Sequence, residues 1–176
     1  MDRFFGYGSL VNRRTHAYPN LQRRSVAGWR RAWRHTSLQS AAFLTAVRDA
    51  DCEIDGVTAD VPGGDWAALD LREAAYVRVP LPDGVRIYHI PDGHHGPATE
   101  ARPILLSYLD VVVQGFLAEF GEAGVARFFD TTDGWDAPIR DDRAVPIYPR
   151  AQTLTAAERA LVDAHLTRVG GVARVA

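Results

Sequence analysis

The chain has 176 residues, of which 47% are hydrophobic and 24% are charged, and this predicts one globular domain over residues 1–176. Its formal net charge of −2 argues against nucleic acid or an anionic membrane surface as a partner, and composition leaves the oligomeric state open. Cys52 is the only cysteine, and we find neither an apolar run long enough to cross a membrane nor a leader pattern, so we expect a cytosolic protein.

The first half of the sequence is typical of short β-strands separated by polar breaks. Three segments are rich in aromatic or β-branched residues: VAGWRRAW (26–33), AAFLTAV (41–47) and EIDGVTADV (53–61). A short helix is predicted over 66–74, with Asp65 as its N-cap. Two further strands then flank Pro-Asp-Gly at 82–84, which is the turn signal of a β-hairpin.

The second half is mainly helical. Apolar residues at spacings of three and four predict a long helix over 102–122. Another helix is predicted over 155–169, capped by Thr153 or Thr155 and ended by a glycine pair. The polar segment 130–151 between them contains three prolines and is interpreted as an ordered surface loop. Strands followed by helices predict an α+β domain.

The segment RFFGYGSLVN (3–12) is an apolar strand that ends in a glycine-rich turn. Glycine at Gly6 and Gly8 permits uncommon backbone angles and the close approach of a ligand, so the backbone N–H groups of the turn could cradle an anion. The same residues also suit an ordinary β-turn without a function. The turn alone leaves both interpretations open.

The short helix carries a candidate acid/base. At about 100° per residue, Glu73 shares one stripe with Trp66 and Leu69, whereas Arg72 points elsewhere and is not an obvious partner. A carboxylate on an apolar face must be paired or have a raised pKa. The alternative is that the helix frays and Glu73 sits in water at the edge of the core.

Four motifs together resemble the gamma-glutamylcyclotransferase superfamily, in particular its ChaC-like and AIG2-like branch. They occur in the family's order: FGYGSLVN (5–12), VAGWRRAW (26–33), LDLREAAYVRV (69–79) and SYLDVVVQGFLAEFG (107–121). The resemblance implies a small mixed β-barrel-like sheet flanked by helices. It implies that Tyr7, Gly8, Ser9 and Leu10 bind the γ-glutamyl group and that Glu73 is the catalytic acid/base. Tyr108 matches a family Tyr-Leu pair near the site.

The reaction implied by the resemblance needs few groups. The α-amine of a γ-glutamyl amide attacks its own γ-carbonyl, which forms 5-oxoproline and releases an amine. No metal or cofactor is expected, since the nucleophile belongs to the substrate. Glu73 would serve both proton transfers, and N–H groups around Gly8, Ser9 and Leu10 would hold either the α-carboxylate or the developing oxyanion.

Two departures from the family pattern limit the substrate assignment. Glutathione-degrading ChaC-like enzymes have a glycine pair between the glutamate and a following tyrosine, whereas REAAY (72–76) has none. This favours a small γ-glutamyl amide or peptide as substrate, with glutathione-specific degradation, or a non-catalytic binding module, as alternatives. The segment after Asp130 has no match in the motifs and is a candidate for shaping the leaving-group pocket.

Other conspicuous residues have simpler explanations. His94 and His95 are adjacent in a turn with no further ligand at a recognised spacing, so an exposed turn is favoured over a metal site. The arginine pairs at 13–14, 23–24 and 30–31 are interpreted as solvated surface charges, although one near the site could bind a carboxylate of a peptide substrate.

Overall fold

A computed structural model describes residues 2–36, 40–91, 93–170 and 174–175. Its strands are β1 (Arg3–Gly6), β2 (Gln22–His35), β3 (Phe43–Asp60), β4 (Val77–Pro80), β5 (Arg86–His89), β6 (Gly96–Pro97), β7 (Ile104–Leu105), β8 (Thr132–Asp133), β9 (Ile139–Arg140) and β10 (Arg174–Val175). Its α-helices are α1 (Ala67–Arg72), α2 (Leu106–Asp130) and α3 (Ala156–Val169). In these residues no helix has both the length and the apolar character that a membrane crossing requires.

A mixed sheet forms the centre of the fold. Six of its strands follow the order β4-β5-β1-β3-β2-β6, and β8 also pairs with β2. β1 runs antiparallel to β3 and parallel to β5, so the first strand of the chain is central in the sheet. The sheet curls into a half-barrel flanked by helices, which confirms the fold class predicted for the chain.

The sheet contains one long hairpin where the sequence predicted three separate strands. β3 extends from Phe43 to Asp60, and the predicted break between 41–47 and 53–61 is an irregularity within this one strand, where the pairing with β2 is interrupted between Arg48 and Glu53. The polar residues between those segments stay in the strand because their side chains find partners on β2. The guanidinium of Arg48 lies 3.9 Å from the ring centroid of Trp29, and Asp49 accepts a 2.8 Å hydrogen bond from Arg30.

The helices cover the sheet and complete the main core. The predicted helix 102–122 begins later and continues further than expected, because β7 occupies its first residues and Phe128 and Phe129 carry the helix into the core. Gly121, with a φ of 68°, interrupts α2 close to the predicted end. At the start of α3, Thr155 is the N-cap and forms a capping box with Glu158.

The predicted hairpin turn at 82–84 and the ordered loop at 130–151 are both present, but the loop is only partly on the surface. It contains β8 and β9, and it places Trp135 and Ile139 in the main core. Apolar side chains therefore anchor the loop at its first half. Its second half, after Arg140, is the more exposed part.

Arg31 contradicts the expectation that the arginine pairs are surface charges, because its side chain is fully buried. Its guanidinium donates to the carbonyl of Tyr7 at 3.0 Å, to Thr131 Oγ1 at 2.7 Å and to the carbonyl of Asp55. The buried cation is thus satisfied by oxygens from three separate segments. One of them is the turn that follows β1.

Candidate active site

The turn after β1 and the end of α1 meet at a cavity that we call the inner cavity. It is small, with a cavity volume of about 30 Å³. The residues that line it are Phe5, Gly6, Tyr7, Gly8, Ser9, Leu10, Leu44, Glu73, Tyr76, Tyr88 and Tyr108. The structure therefore brings all six residues nominated from the sequence to one place, while their roles stay predictions.

The turn has a compact helical conformation. Ser9–Val11 form one turn of 3-10 helix, in which Val11 N donates to the carbonyl of Gly8 at 3.0 Å. The N–H groups of Ser9 and Leu10 stand at the start of this helix and have no carbonyl partner within it. Asn12 ties the turn to α2 by donating from Nδ2 to the carbonyl of Val111 at 2.9 Å.

Close approach of a neighbouring side chain leaves no free room for a Cβ atom at Gly8. Its φ of −124° lies outside the left-handed region. A Cβ atom at this position would lie only 2.9 Å from the hydroxyl oxygen of Tyr108. The close contact between the turn and Tyr108 therefore depends on the missing side chain.

Tyr7 contributes to the site through its backbone, since its phenol is engaged in the core. The hydroxyl donates to the carbonyl of Tyr88 at 2.6 Å and accepts from Ala46 N at 3.0 Å. Burial raises the pKa of the Tyr7 phenol, which is neutral at physiological pH. The Tyr7 carbonyl is the atom that Arg31 holds.

Three other tyrosines, Tyr76, Tyr88 and Tyr108, line the same cavity. The ring of Tyr108 packs edge to face against Trp33, with centroids 5.9 Å apart. Tyr76 was not nominated from the sequence, although REAAY places it three residues after Glu73; its hydroxyl donates to the carbonyl of Leu44 at 3.0 Å. Burial raises the pKa of Tyr76 and of Tyr108 well above 10, so both phenols are neutral.

Glu73 lies at the C-terminal end of α1 and is largely enclosed, with 16% of its side chain exposed. Leu69, on the same stripe, is fully buried, as the predicted apolar face requires. Burial raises the pKa of the Glu73 carboxyl, and the charges of Arg72 and Arg150 offset only part of that rise. The Glu73 carboxyl therefore has the raised pKa that burial produces, and it is also close to two arginine charges.

The expectation that Arg72 points away from Glu73 was wrong. Arg72 Nε lies 3.3 Å from Glu73 Oε1. The helical-wheel argument fails because α1 ends at Arg72, and Glu73, with φ −102° and ψ 32°, is outside the regular helix. The spacing rule for a continuous helix does not apply across a helix end.

Arg72 also connects the catalytic candidate to the turn. Its guanidinium donates to Ser9 Oγ at 3.1 Å, to Thr15 Oγ1 at 3.1 Å and to the carbonyl of Thr15 at 3.0 Å. One side chain thus fixes Glu73 relative to the turn that begins at Ser9. Only its position next to Glu73 could have indicated this role from the sequence.

A wider cleft, which we call the outer cleft, opens beside the inner cavity and shares Ser9, Glu73, Tyr76 and Tyr108 with it. Its volume is about 330 Å³, against about 30 Å³ for the inner cavity. Its remaining lining residues are Ser40, Ala41, Ala42, Phe43, Arg72, Leu105, Ile147, Tyr148, Pro149 and Arg150. The second half of the 130–151 loop therefore forms one wall of the outer cleft.

The search for metal ligands among the described residues finds no group of three or more histidine, cysteine, aspartate or glutamate side chains placed to hold an ion. His94 is exposed, and His95 is half-buried in the same turn. Asp92, the first residue of the predicted turn, lies outside the described residues. The residues of both cavities include one carboxylate, Glu73, which is a poor donor set for a metal.

Similarity to known proteins is found at the level of the fold. No family model matches the sequence, and no curated protein matches it. A solved gamma-glutamyl cyclotransferase is similar over 93% of this chain and 98% of that chain, with 12% identity and a TM-score of 0.52. An uncharacterized protein from Homo sapiens is similar over 92% of this chain and 98% of its own, with 11% identity and a TM-score of 0.53.

YkqA from Bacillus subtilis has 16% identity and a TM-score of 0.54, and the match covers 76% of this chain and 56% of YkqA. At these identities the similarity concerns the arrangement of the elements. The chain thus has the fold of gamma-glutamyl cyclotransferase.

Proposed function

We propose that the chain is a gamma-glutamylcyclotransferase-type enzyme that cyclises the γ-glutamyl group of a small γ-glutamyl amide or peptide to 5-oxoproline. The observation that carries the proposal is the position of Glu73, a largely buried carboxyl with a raised pKa, in the same cavity as the Tyr7–Leu10 turn. A raised pKa brings a carboxylate closer to working pH as a proton acceptor. The shared fold supports the same reaction class.

The turn would bind the γ-glutamyl group. The N–H group of Leu10 has no carbonyl partner within the helical turn, and the N–H group of Ser9 hydrogen-bonds the Tyr108 hydroxyl, which a ligand would have to replace. They suit either the α-carboxylate or the oxyanion that develops on the γ-carbonyl oxygen. Tyr76 and Tyr108, both neutral phenols at the same cavity, are further candidates for contacts with these oxygens.

The proton transfers assign two tasks to Glu73. The ionised carboxylate first takes a proton from the α-ammonium, and the freed amine nitrogen then bonds to the γ-carbonyl carbon. The amide C–N bond breaks as Glu73 returns this proton to the leaving nitrogen. The attacking nitrogen still carries one proton more than the ring amide of 5-oxoproline, and Glu73 passes that second proton to the released amine, which leaves as an ammonium ion. Arg72, at 3.3 Å, helps to keep the carboxylate ionised in spite of its burial.

Two alternatives remain within the same fold. Glutathione-specific degradation is disfavoured by the missing glycine pair in REAAY. A non-catalytic binding module would have no use for a buried carboxylate at Glu73, which is costly to desolvate. A cytosolic location remains a prediction.

The experiment that tests the proposal is incubation of the protein with a panel of γ-glutamyl peptides and γ-glutamyl amines, with 5-oxoproline measured as the product. We expect 5-oxoproline and the free amine in equal amounts. Hydrolysis to free glutamate, or no turnover of any member of the panel, would contradict the proposed reaction. Glutathione as the single accepted member would instead support the first alternative.

A further inference from the structure

We infer that Arg31 is a positioning residue of the inner cavity, which fixes the Tyr7–Gly8 peptide so that the Gly8 N–H binds an oxygen of the γ-glutamyl group. This inference rests on the proposed function and deepens it. Arg31 lies behind the inner cavity and not among its lining residues, so it would act through the backbone of the turn.

The side chain of Arg31 is a cation in the centre of the core. It is fully buried, and its guanidinium carbon lies 4.9 Å from the ring centroid of Phe116 and 5.1 Å from that of Phe128. Burial of a charge is costly, and well-packed apolar side chains of similar volume often stabilise a core equally well. Packing alone therefore does not account for an arginine at this position.

One of the hydrogen bonds of Arg31 leads to the site. Arg31 Nε donates to the Tyr7 carbonyl at 3.0 Å, whereas the terminal nitrogens donate to Thr131 Oγ1 at 2.7 Å and to the Asp55 carbonyl. Thr131 and Asp55 are not among the residues that line the inner cavity or the outer cleft. Because the guanidinium is planar and rigid, these two outer contacts also fix the direction of the Nε–H.

The Tyr7–Gly8 peptide transmits this contact to the cavity. The peptide is trans and planar, so its carbonyl and its N–H point in opposite directions. Since the Tyr7 carbonyl is turned towards Arg31, the Gly8 N–H is turned away from Arg31. Gly8 lines the inner cavity. A hydrogen bond to the carbonyl also polarises the peptide, which strengthens its N–H as a donor.

This peptide needs an anchor because the regular hydrogen bonds on either side do not include it. The strand β1 ends at Gly6, and the bonds of the 3-10 turn begin with Val11 N, which donates to the Gly8 carbonyl at 3.0 Å. Glycine is conformationally permissive, so the peptide that precedes Gly8 can rotate easily. The contact with Arg31 therefore holds a peptide that the turn itself leaves free to rotate.

The test compares two substitutions of Arg31 that differ in one hydrogen-bond donor. In Arg31→Gln the amide nitrogen is the same number of bonds from the backbone as Arg31 Nε, so it can donate to the Tyr7 carbonyl. Arg31→Met has a similar length and no donor. Both substitutions remove the charge and the contacts with Thr131 and Asp55, so a purely structural role of Arg31 would affect both variants alike.

Calorimetry measures the dissociation constant of 5-oxoproline for each variant, at a temperature at which circular dichroism shows the proteins folded. We expect Arg31→Met to weaken binding by about tenfold or more, and Arg31→Gln to bind within about threefold of the unmodified protein. Thr131→Val is the matched control, because it removes another hydrogen bond of Arg31 without reaching the turn. We expect it to bind 5-oxoproline as tightly as the unmodified protein does.

Equal weakening by Arg31→Gln and Arg31→Met would overturn the inference, because the loss would then come from the charge or from a damaged core. Weakening by Thr131→Val as large as that by Arg31→Met would overturn it for the second of these reasons. Unchanged binding by Arg31→Met would show that the turn does not need Arg31.

A measurement on the unmodified protein covers the case in which Arg31→Met does not fold. Saturation with 5-oxoproline should shift the nuclear magnetic resonance signals of the Gly8 N–H and of the Arg31 Nε–H, and the inference is overturned if either signal stays in place. Release of 5-oxoproline from the γ-glutamyl panel is measured separately. If binding depends on Arg31 as expected but no 5-oxoproline is released, the proposed reaction fails while the positioning role stands. If the unmodified protein does not bind 5-oxoproline, the inference fails whatever the panel shows.

Discussion

The inner cavity and the outer cleft share a boundary at Glu73 but are built in different ways. Polar groups of the inner cavity are tied to the core: the Tyr7 carbonyl by Arg31, and Ser9 Oγ by Arg72. In the outer cleft, the lining residues Ile147 and Pro149 are exposed. The inner cavity, which would hold the reacting groups, is therefore built from several elements of the fold. The outer cleft, which would hold the leaving group, has one wall formed by a single loop.

This difference has a consequence for how each part tolerates substitution. A change in the inner cavity disturbs side chains that also hold β1, α1 and α2 together, so function and stability are coupled there. A side-chain change in segment 147–150 leaves those ties in place, although the Tyr148 ring also packs against Tyr108, with centroids 5.0 Å apart. Substrate preference can thus vary through the loop while the catalytic geometry is preserved.

The largest effect is expected at the shared boundary. Glu73→Gln should lower 5-oxoproline formation by about 10²- to 10⁴-fold, because the amide cannot accept or return the proton. Binding of 5-oxoproline should persist, since the turn is unchanged. Steady-state kinetics and calorimetry measure the two quantities, and Glu53→Gln, at an exposed position of β3, serves as the control. Near-normal turnover by folded Glu73→Gln protein would remove Glu73 from the mechanism.

The second prediction concerns the turn of the inner cavity. Gly8→Val should weaken binding of 5-oxoproline at least about tenfold, because the new side chain enters the space of the Tyr108 hydroxyl and of the ligand. Gly96→Val is the control, since a Cβ at Gly96 meets only His35 Nε2, at 3.6 Å.

Both variants are compared at a temperature at which circular dichroism shows them folded. If Gly8→Val binds 5-oxoproline as tightly as the unmodified protein does, the turn is not the binding site. The γ-glutamyl group would then have to be held by another part of the cavity.

The sequence allowed the inner cavity to be predicted better than the outer cleft. The turn after β1 and the burial of Leu69 follow from local patterns, and the order of the four motifs indicated that the turn and Glu73 belong together. The contact between Arg72 and Glu73 did not follow, because it depends on where α1 ends, and helix ends are the least predictable part of a helix.

The other features that the sequence analysis did not predict are contacts between residues that are far apart in the chain. Arg31 is buried only because oxygens of Tyr7, Asp55 and Thr131 surround it, and no local pattern brings these together. The polar residues after position 47 resembled a break, since their partners lie on the facing strand. The segment that carries Arg150 is held near the site because Asp142 of the loop accepts a hydrogen bond from Ser107 N in α2. No local spacing in the sequence predicts this contact.

The third prediction sharpens the description of the outer cleft. Asp142→Ala removes the acceptor for Ser107 and Ile147, so the segment that carries Tyr148 and Arg150 is no longer fixed. We expect KM for the preferred γ-glutamyl conjugate to rise by about three- to tenfold while the affinity for 5-oxoproline stays the same. Asp136→Ala, at an exposed position of the same loop, is the control. Equal losses in both quantities would show that the two parts of the site are not separable.

The smallest expected effect is a change in folding stability with pH. The raised pKa of Glu73 determines whether stability rises or falls as the pH increases. Below the pKa of an unfolded-state glutamate, about 4.3, Glu73 is protonated in both states and its contribution to stability is fully present. As the pH rises through the higher pKa of the folded state, the buried carboxyl ionises at a cost and that contribution is lost. Glu73→Gln stays neutral and avoids the loss.

The free energy of unfolding of Glu73→Gln should therefore increase relative to that of the unmodified protein as the pH rises. Urea denaturation of both proteins between pH 5 and 8, in steps of about one unit, measures this difference. If the difference in free energy of unfolding between Glu73→Gln and the unmodified protein fell as the pH rose, the ion pair with Arg72 would dominate and the pKa of Glu73 would be lowered. Glu73 would then be held ionised for the structure, and the inner cavity would lose its candidate proton acceptor near neutral pH.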